Sequence, residues 1–256
     1  MFSIVEVLGN PIPEGSLLFK DMQLQLKSGN RKLIILHAYY EEEADAIFER
    51  LSHFSDYDIV LTTSKPGIQA RFASLFSADR AASFLVENKG RDVLPFLYVL
   101  QVLKLDSYTH FVKIHTKRSP HFESGYAWSR SNIESLIGQK KMTDAFFEKV
   151  DSAKTNIYGL DRFPIQNYLE NNRNWLTFLL QVPPDNVVAY FSPGTMFLGS
   201  VEFLKRLGVC CFHRLKFEEE AGQLDGCLQH SLERYFGYFC DLQGGECKRL
   251  ADLVDK

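Results

Sequence analysis

The chain has 256 residues, of which 45% are hydrophobic and 24% are charged, and its formal net charge at pH 7 is −3. This composition is ordinary for a globular protein and excludes wholesale disorder, and the small negative charge offers no basic field for nucleic acid. The length fits one α/β domain better than two.

The beginning of the chain and its cysteines bear on the compartment. The first residues lack the basic start and apolar core of a secretion signal, and no apolar run approaches the ~20 residues that span a bilayer. All five cysteines lie in the last quarter of the chain, with no Cys-x-x-Cys pair among them. This pattern argues against a disulfide scaffold or a zinc ribbon and favours a reducing compartment. We therefore expect a cytoplasmic protein without a transmembrane segment.

The first half of the chain shows regular alternation. Residues 1–30 are rich in glycine and proline and are predicted to be an irregular or adapter segment, followed by one domain over residues 31–256. Apolar runs predict buried strands, and apolar residues at helical spacing follow each of the first three. The predicted strands cover residues 33–40, 58–64, 82–88 and 109–116. Such alternation is typical of βαβ units, so the predicted fold class is α/β: a Rossmann-like, mostly parallel sheet flanked by helices.

The second half is less regular. Strands are predicted near residues 186–191 and over Cys210–Phe217, and Ser192-Pro193-Gly194-Thr195 predicts a turn. Helices are predicted over residues 125–138, 143–150, 166–181 and 201–207, with a last helix over 225–238.

The third predicted strand ends in Asn88-Lys89-Gly90-Arg91-Asp92. Ligands of open parallel sheets bind beyond the carboxyl ends of the strands, where this segment lies. Gly90 permits a tight turn, Arg91 offers a fork suited to phosphate, and Asp92 can cap the next helix. Taken alone, the segment fits a capped turn as well as it fits a binding site.

The fourth predicted strand ends in Lys113-Ile114-His115-Thr116-Lys117, and its Lys113, His115 and Lys117 share one face. A buried Lys113 without a partner would cost several kcal/mol, so we expect a counter-charge, which either Asp92 or a ligand phosphate could supply. Two basic strand ends at one edge favour an anion site. The pair His115 and His121 has no cysteine nearby and is surrounded by cations, so no metal site is predicted.

The last predicted helix carries polar side chains beside its apolar face. Asp225 stands near its start, and His230, Glu233 and Arg234 follow. By spacing alone, a capped helix with an exposed Glu–Arg face is favoured, whereas the functional interpretation makes Asp225 a general base in a cleft. Thr195 of the predicted turn could bond a ligand.

Four segments occur in the order and approximate spacing of a known family: NKGRDVLPFL, FVKIHTKRSPH followed by GYAW, SPGTMF, and GQLDGCLQHSLER. Over about Lys32 to Gly237 the chain resembles the rhamnan synthesis protein F family, which is implicated in building rhamnose-containing cell-surface polysaccharides of bacteria. That family in turn looks like a relative of the GT-A glycosyltransferases, which bind a nucleotide sugar on a Rossmann-like half. The resemblance implies a GT-A-like domain.

The resemblance also implies an activity. The chain is expected to be an inverting glycosyltransferase that moves a deoxyhexose such as rhamnose from a nucleoside-diphosphate sugar to a glycan or lipid-linked glycan. Asp225 would be the base that deprotonates the acceptor hydroxyl. Thr195, His230, Glu233 and Arg234 would orient that base or contact the acceptor.

The donor site that the resemblance implies has an unusual feature. In GT-A enzymes the corresponding strand ends in Asp-x-Asp, which holds a metal on the diphosphate, whereas here it ends in lysines and a histidine. We therefore expect cations directly against the leaving diphosphate, and no metal or other cofactor. The residues expected to bind the donor are Asn88, Gly90, Arg91, Asp92, Lys113, His115 and Lys117.

Two other functions stay open. A non-catalytic polysaccharide-binding or assembly module would keep the fold and lose the transfer. A kinase-like or phosphoesterase protein is the third alternative, but no Walker loop and no paired-carboxylate metal site supports it. No nucleic-acid partner is expected, and contact with the inner face of the membrane, where lipid-linked acceptors would lie, is left open.

Overall fold

The computed structural model of the protein describes residues 24–117 and 125–254, which are built around one seven-stranded sheet. The strands of this sheet are β1 (Lys32–His37), β2 (Tyr57–Thr63), β3 (Ala81–Leu85), β4 (His110–His115), β5 (Ile157–Gly159), β8 (Phe197–Ser200) and β9 (Cys247–Arg249). A separate pair consists of β6 (Phe163–Pro164) and β7 (Tyr190–Phe191).

The helices flank the sheet on both faces. They are α1 (Glu41–Leu51), α2 (Pro66–Leu75), α3 (Val93–Val102), α4 (Gly125–Ile137), α5 (Lys140–Lys149), α6 (Arg173–Leu180), α7 (Val201–Val209), α8 (Leu228–Leu242) and α9 (Ala251–Val254). Short 3₁₀ turns occur at Ile165–Tyr168, Pro184–Asn186, Pro193–Thr195 and Phe212–Arg214.

The strand order is β3-β2-β1-β4-β8-β5-β9. Strands β1 to β4 are parallel, whereas β8 runs antiparallel to both of its neighbours, β4 and β5. The carboxyl ends of β1 to β4 therefore share one edge, and the register of β1 and β4 brings His37 opposite His115 there. This is the mostly parallel, Rossmann-like sheet that the alternating pattern predicts.

Two hydrophobic cores lie on opposite faces of the sheet, which explains the continuous apolar runs of the strands. In β1, Leu33 and Ile35 pack into a core with helices α3, α6, α7 and α8, while Ile34 and Leu36 pack into a core with α1, α2, α4 and α5. Successive side chains of a strand point to opposite faces, so a strand covered on both faces must be apolar throughout.

The four strands predicted in the first half are confirmed within a few residues, and the second half requires corrections. The helix predicted over 166–181 is broken: a 3₁₀ turn at Ile165–Tyr168 precedes α6. Between them, the Asn172 side chain donates to the Tyr168 carbonyl at 3.2 Å and to Asp225 Oδ2 at 2.9 Å. Asparagine side chains that bond in this way compete with helical hydrogen bonds, which accounts for the break.

Three further predictions are wrong in extent or type. The strand predicted over Cys210–Phe217 is absent, because Cys211 adopts a left-handed φ of 53° and a 3₁₀ turn follows it. The strand predicted near 186–191 shrinks to β7, after a 3₁₀ turn that begins with Pro184. The last helix starts at Leu228 instead of Asp225, since Gly226 has a φ of 87°.

Part of the predicted segment 1–30 lies within the described residues. Leu24 forms an isolated parallel bridge with Leu103, and its N–H donates to the Val102 carbonyl at 2.7 Å. Residues 1–23 of the predicted segment lie outside the described residues. Within the described ranges, none of the helices has the length and hydropathy that a membrane crossing requires.

Candidate functional site

The site lies at the edge formed by the carboxyl ends of β1, β3 and β4. The turn before β8 and the start of α8 close over this edge. All four segments that the sequence singled out therefore meet in one place: Lys113 bonds Asp92 and Thr195, and Arg91 contacts His230.

Lys113 is the centre of the site. Its Nζ lies 2.5 Å from Asp92 Oδ2 and donates to the carbonyl oxygen and the hydroxyl of Thr195 at 2.9 Å and 3.0 Å. The Thr195 hydroxyl in turn donates to Asp92. An ammonium has three protons, so these three acceptors satisfy it completely. The counter-charge of Lys113, which the sequence left open, is the Asp92 carboxylate.

Asp92 therefore has a different role from the cap expected of it. It occupies the N-cap position of α3, but within the described residues its carboxylate makes no capping bond and turns to Lys113 and Thr195 instead. Burial alone would raise the pKa of Asp92, but the charges of His115 and Lys113 and the hydrogen bonds hold it well below its usual range. Burial lowers the pKa of Lys113 and the charge of Asp92 opposes it, so each partner keeps the other ionised.

The turn that holds Thr195 is strained. Gly194 and Thr195 have left-handed φ angles of 75° and 53°. A β-branched residue in this region costs on the order of 1–3 kcal/mol and persists only where surrounding contacts fix it. Here the bonds to Asp92 and Lys113 fix it. A side chain at position 194 would also collide with Trp128, because a Cβ there would lie 2.3 Å from its ring.

Two histidines stand beside the ion pair. His115 Nε2 lies 2.7 Å from the Gly194 carbonyl, and its Nδ1 lies 3.1 Å from the Thr116 carbonyl. Burial lowers the pKa of His115 against the opposing charge of Asp92. Burial also lowers the pKa of His37 to about 3, and its Nδ1 lies 3.0 Å from the Thr62 hydroxyl. His37 was missed, although it ends the first strand as His115 ends the fourth.

Lys117 lies just beyond the end of β4 and is partly exposed. Its Nζ stands 4.9 Å from the centre of the Trp128 ring, a cation–π distance. Trp128 thus contacts both Lys117 and the Gly194 turn. Two further basic residues that follow Lys117 in the sequence, Arg118 and His121, lie outside the described residues.

The segment after β3 forms a second, outer layer of charge. The Arg91 guanidinium contacts Glu220 at 3.2 Å, His230 Nε2 at 3.0 Å and the Gln223 carbonyl. Lys89 pairs with Glu219. The sequence did not suggest these pairings, because the partners are about 130 residues apart.

Backbone geometry fixes this outer layer. Gly90 has a φ of 63°, and a Cβ there would lie 2.6 Å from Leu94 Cβ and 2.7 Å from a ring carbon of Phe217. Only glycine fits this close approach without displacing its neighbours. Asn88 precedes the turn and is exposed.

The polar residues near the start of α8 form a connected group. Asp225 Oδ2 accepts from the Asn172 amide at 2.9 Å, and Oδ1 lies 3.1 Å from Arg234. Arg234 also lies 3.1 Å from Glu233, which accepts the Gly194 N–H. Arg234 therefore links Asp225 to the strained turn. Asn172 was missed, although an asparagine within a predicted helix is a warning sign.

The electrostatics of this group differ from residue to residue. Burial raises the pKa of Glu233, and the charges of Arg234 and Lys117 oppose the shift. Burial and the charge of Arg91 lower the pKa of His230 to about 4, so its imidazole is neutral at pH 7. Arg234 lies over the rings of two aromatic residues, 5.6 Å from Tyr168 and 5.3 Å from Phe191.

A metal ion of the GT-A type does not fit the described residues. Within residues 24–117 and 125–254, no group of three or more His, Cys, Asp or Glu is placed to hold one. Asp92 faces Lys113, Glu220 faces Arg91, and Asp225 faces Arg234. Each carboxylate of the site is thus turned to a cation of the protein.

Comparison with known proteins agrees with the sequence motifs. The model of the Rhamnan synthesis protein F family matches residues 14–244. Two curated relatives, each an uncharacterized protein WxcX from a strain of Xanthomonas campestris pv. campestris, are 31% identical over 228 residues. The match covers 80% of this chain and 30% of each relative, so the chain spans less than a third of their length. No solved structure gives a significant match.

Proposed function

The chain belongs to the Rhamnan synthesis protein F family, which implies a role in polysaccharide synthesis, and on that premise we propose that it is a glycosyltransferase. It would move a deoxyhexose such as rhamnose from a nucleoside-diphosphate sugar to a glycan or lipid-linked glycan acceptor. One observation carries the proposal: four segments far apart in the sequence converge at the ligand-binding edge of a Rossmann-like sheet.

In this proposal, the donor diphosphate binds against the partly exposed cations of the site. Arg91 and Lys117 contact its oxygens. Lys113 already has three acceptors, so it positions Asp92 and Thr195 instead of taking up a phosphate oxygen. The cations stabilise the negative charge that develops on the leaving diphosphate.

Asp225 is the proposed general base. Its side chain is 26% exposed, against 16% for Glu233, and it is oriented by the Asn172 amide and by Arg234. The carboxylate takes the proton of an acceptor hydroxyl while the hydroxyl oxygen attacks the anomeric carbon. The bond from that carbon to the diphosphate breaks, the diphosphate leaves with the electron pair, and attack from the opposite face inverts the configuration.

A non-catalytic polysaccharide-binding or assembly module is the second candidate. The paired state of the polar groups favours it, because Arg91, Lys113 and Arg234 all have protein partners. A module of this kind needs no base, so it would bind its glycan equally well after Asp225→Asn.

The test begins with thermal stabilisation by a panel of nucleoside-diphosphate sugars, each with EDTA, Mg²⁺ or Mn²⁺. A ligand of the native state raises the melting temperature by mass action, and we expect a shift that persists in EDTA. The stabilising donor is then incubated with glycan acceptors, with wild type and Asp225→Asn in parallel. Transfer by wild type, with a loss of at least about a hundredfold in the variant, supports the base assignment. Donor binding without transfer by either protein favours the module, and no shift with any donor removes the transferase proposal.

A further inference from the structure

The segment Glu218–Asp225, here called the acidic strap, lies across the turn that follows β3. It has no helix or strand of its own. Gly222 and Gly226 have left-handed φ angles of 73° and 87°, and Leu224 between them is 72% exposed. Glycines at both sides of an exposed tip let the backbone change direction there at little steric cost.

The beginning of the acidic strap is firmly held. The Glu218 carboxylate accepts from the Trp175 indole at 2.8 Å and from the Leu228 N–H at 3.0 Å. Phe217, just before the strap, is buried against Gly90. Movement of the strap would therefore be confined to the residues after Glu218.

The middle of the acidic strap covers Arg91, a cation of the proposed donor site, and Lys89, which lies two positions before it in the sequence. Glu219 pairs with Lys89, and Glu220 pairs with Arg91, which also donates to the Gln223 carbonyl. The strap thus presents two carboxylates and a carbonyl oxygen where a diphosphate would present its oxygens. Both ion pairs are partly exposed to water, which weakens them compared with a buried pair.

A second observation lies at the end of the strap. Among the described residues, the buried side-chain polar atoms without a hydrogen-bond partner are concentrated here. They are both amide atoms of Gln229 and Nε of Arg234, while His213 Nδ1 lies elsewhere; Asp225 Oδ1, which has no bond of hydrogen-bond geometry, is paired with Arg234 at 3.1 Å. Native proteins leave few such atoms, so the polar side chains at the start of α8 have hydrogen-bonding capacity that the described protein groups do not meet.

We propose that the acidic strap is an internal substitute for the donor diphosphate. Its carboxylates hold Lys89 and Arg91 in the unliganded protein and are displaced when a diphosphate binds. The inference rests on the proposed function, since it assumes that Arg91 binds the donor diphosphate. Phosphate replaces the carboxylates because it offers Arg91 a doubly charged, bidentate partner. The apparent affinity for the diphosphate is then the intrinsic affinity multiplied by the fraction of molecules in which the strap is open.

The experiment measures the binding of inorganic pyrophosphate by titration calorimetry in EDTA. The variant Glu219→Gln/Glu220→Gln loses both strap carboxylates. Its matched control is Glu202→Gln/Glu246→Gln, which removes one carboxylate paired with an Arg and one paired with a Lys. Both lie at the end of the sheet where β4 and β5 begin, away from the proposed donor site. Both variants change the net charge equally. We expect the strap variant to bind pyrophosphate about three- to tenfold more tightly than wild type, and the control to stay within about twofold.

Two results would overturn the inference in distinguishable ways. If the strap variant binds no more tightly than the control, while Arg91→Gln abolishes binding, the donor site stands and the strap has no gating role. If neither wild type nor the strap variant binds pyrophosphate, the donor site itself is wrong. Hydrogen exchange supplies a second readout: pyrophosphate is expected to speed the exchange of residues 219–224 in wild type and to leave α5 unchanged.

Discussion

Arg91 and Asp92 are neighbours in the sequence but belong to two different ion pairs. Asp92 pairs with Lys113 inside the protein, where the side chains are 11% and 2% exposed. Arg91 pairs with Glu220 at the surface of the same site, where the exposures are 38% and 23%. The two pairs use the same chemistry, yet burial gives them different roles.

The buried pair is part of the architecture. Its desolvation is offset only because every acceptor is in place, so the pair fixes the relative positions of β4, α3 and the 193–195 turn. The outer pair is open to water and can exchange its carboxylate for another anion at a small free-energy cost. In this account the inner layer shapes the site and the outer layer binds the donor.

Breaking the inner pair should have the largest effect. Lys113→Met leaves the Asp92 carboxylate buried and unpaired, so we expect a loss of about 3–5 kcal/mol in the free energy of unfolding. Lys89→Met, which removes an outer-layer lysine, should cost less than about 1 kcal/mol. Urea denaturation of both variants measures the difference. If Lys113→Met does not fold, Asp92→Asn/Lys113→Met should restore folding, and equal losses in the two single variants would contradict the account.

Thr195 tests whether the inner layer depends on a hydroxyl. Thr195→Val keeps the shape but removes one partner from both Asp92 and Lys113, with an expected loss of about 1–3 kcal/mol. Thr195→Ser keeps the hydroxyl and should change the stability by less than about 0.5 kcal/mol. Denaturation measures both variants, and a loss in Thr195→Ser as large as that in Thr195→Val would contradict the prediction that the hydroxyl dominates.

His37 gives the inner layer a pH dependence. Its pKa is lowered from 6.5 to about 3 by burial, so between these values the unfolded chain binds the proton more tightly than the folded chain. The contribution of His37 to the free energy of unfolding is therefore complete above about pH 6.5, and it declines as the pH falls towards 3. Removing this group through His37→Gln should make the decline shallower by about 1 kcal/mol per pH unit.

The matched control for this slope is His53→Gln, because His53 is exposed. When denaturation is measured between pH 4 and 7, the free energy of unfolding of the control should change with pH as steeply as that of wild type. His213 and His230 also have pKa values lowered to about 4, so part of the slope persists in His37→Gln. A slope in His37→Gln equal to that of wild type would remove His37 from the acid response.

The outer layer should show the smallest stability effect. Glu219→Gln/Glu220→Gln breaks two partly exposed pairs, and we expect its free energy of unfolding to stay within about 1 kcal/mol of wild type. A loss as large as that of Lys113→Met would make the acidic strap a structural element and would end the contrast between the two layers.

The sequence predicts the first half of the fold because four apolar runs alternate with helical spacing. The same topology places the segments after β3 and β4 at one edge. It does not reveal that the 166–181 helix breaks at Asn172, or that Arg91 meets residues about 130 positions later. Those features depend on long-range contacts and on left-handed backbone at Thr195 and Cys211, which local pattern does not encode.

The central claim is that the outer cations bind the diphosphate of a sugar donor. Its most direct measurement is the dissociation constant of the stabilising nucleoside-diphosphate sugar in EDTA, for wild type, Arg91→Gln and Arg173→Gln. Arg173 is the matched control, because it is an arginine at the start of α6 whose ion pair with Asp185 is open to water. The account predicts at least about tenfold weaker binding for Arg91→Gln and no change for Arg173→Gln. Equal affinities in all three proteins would contradict it.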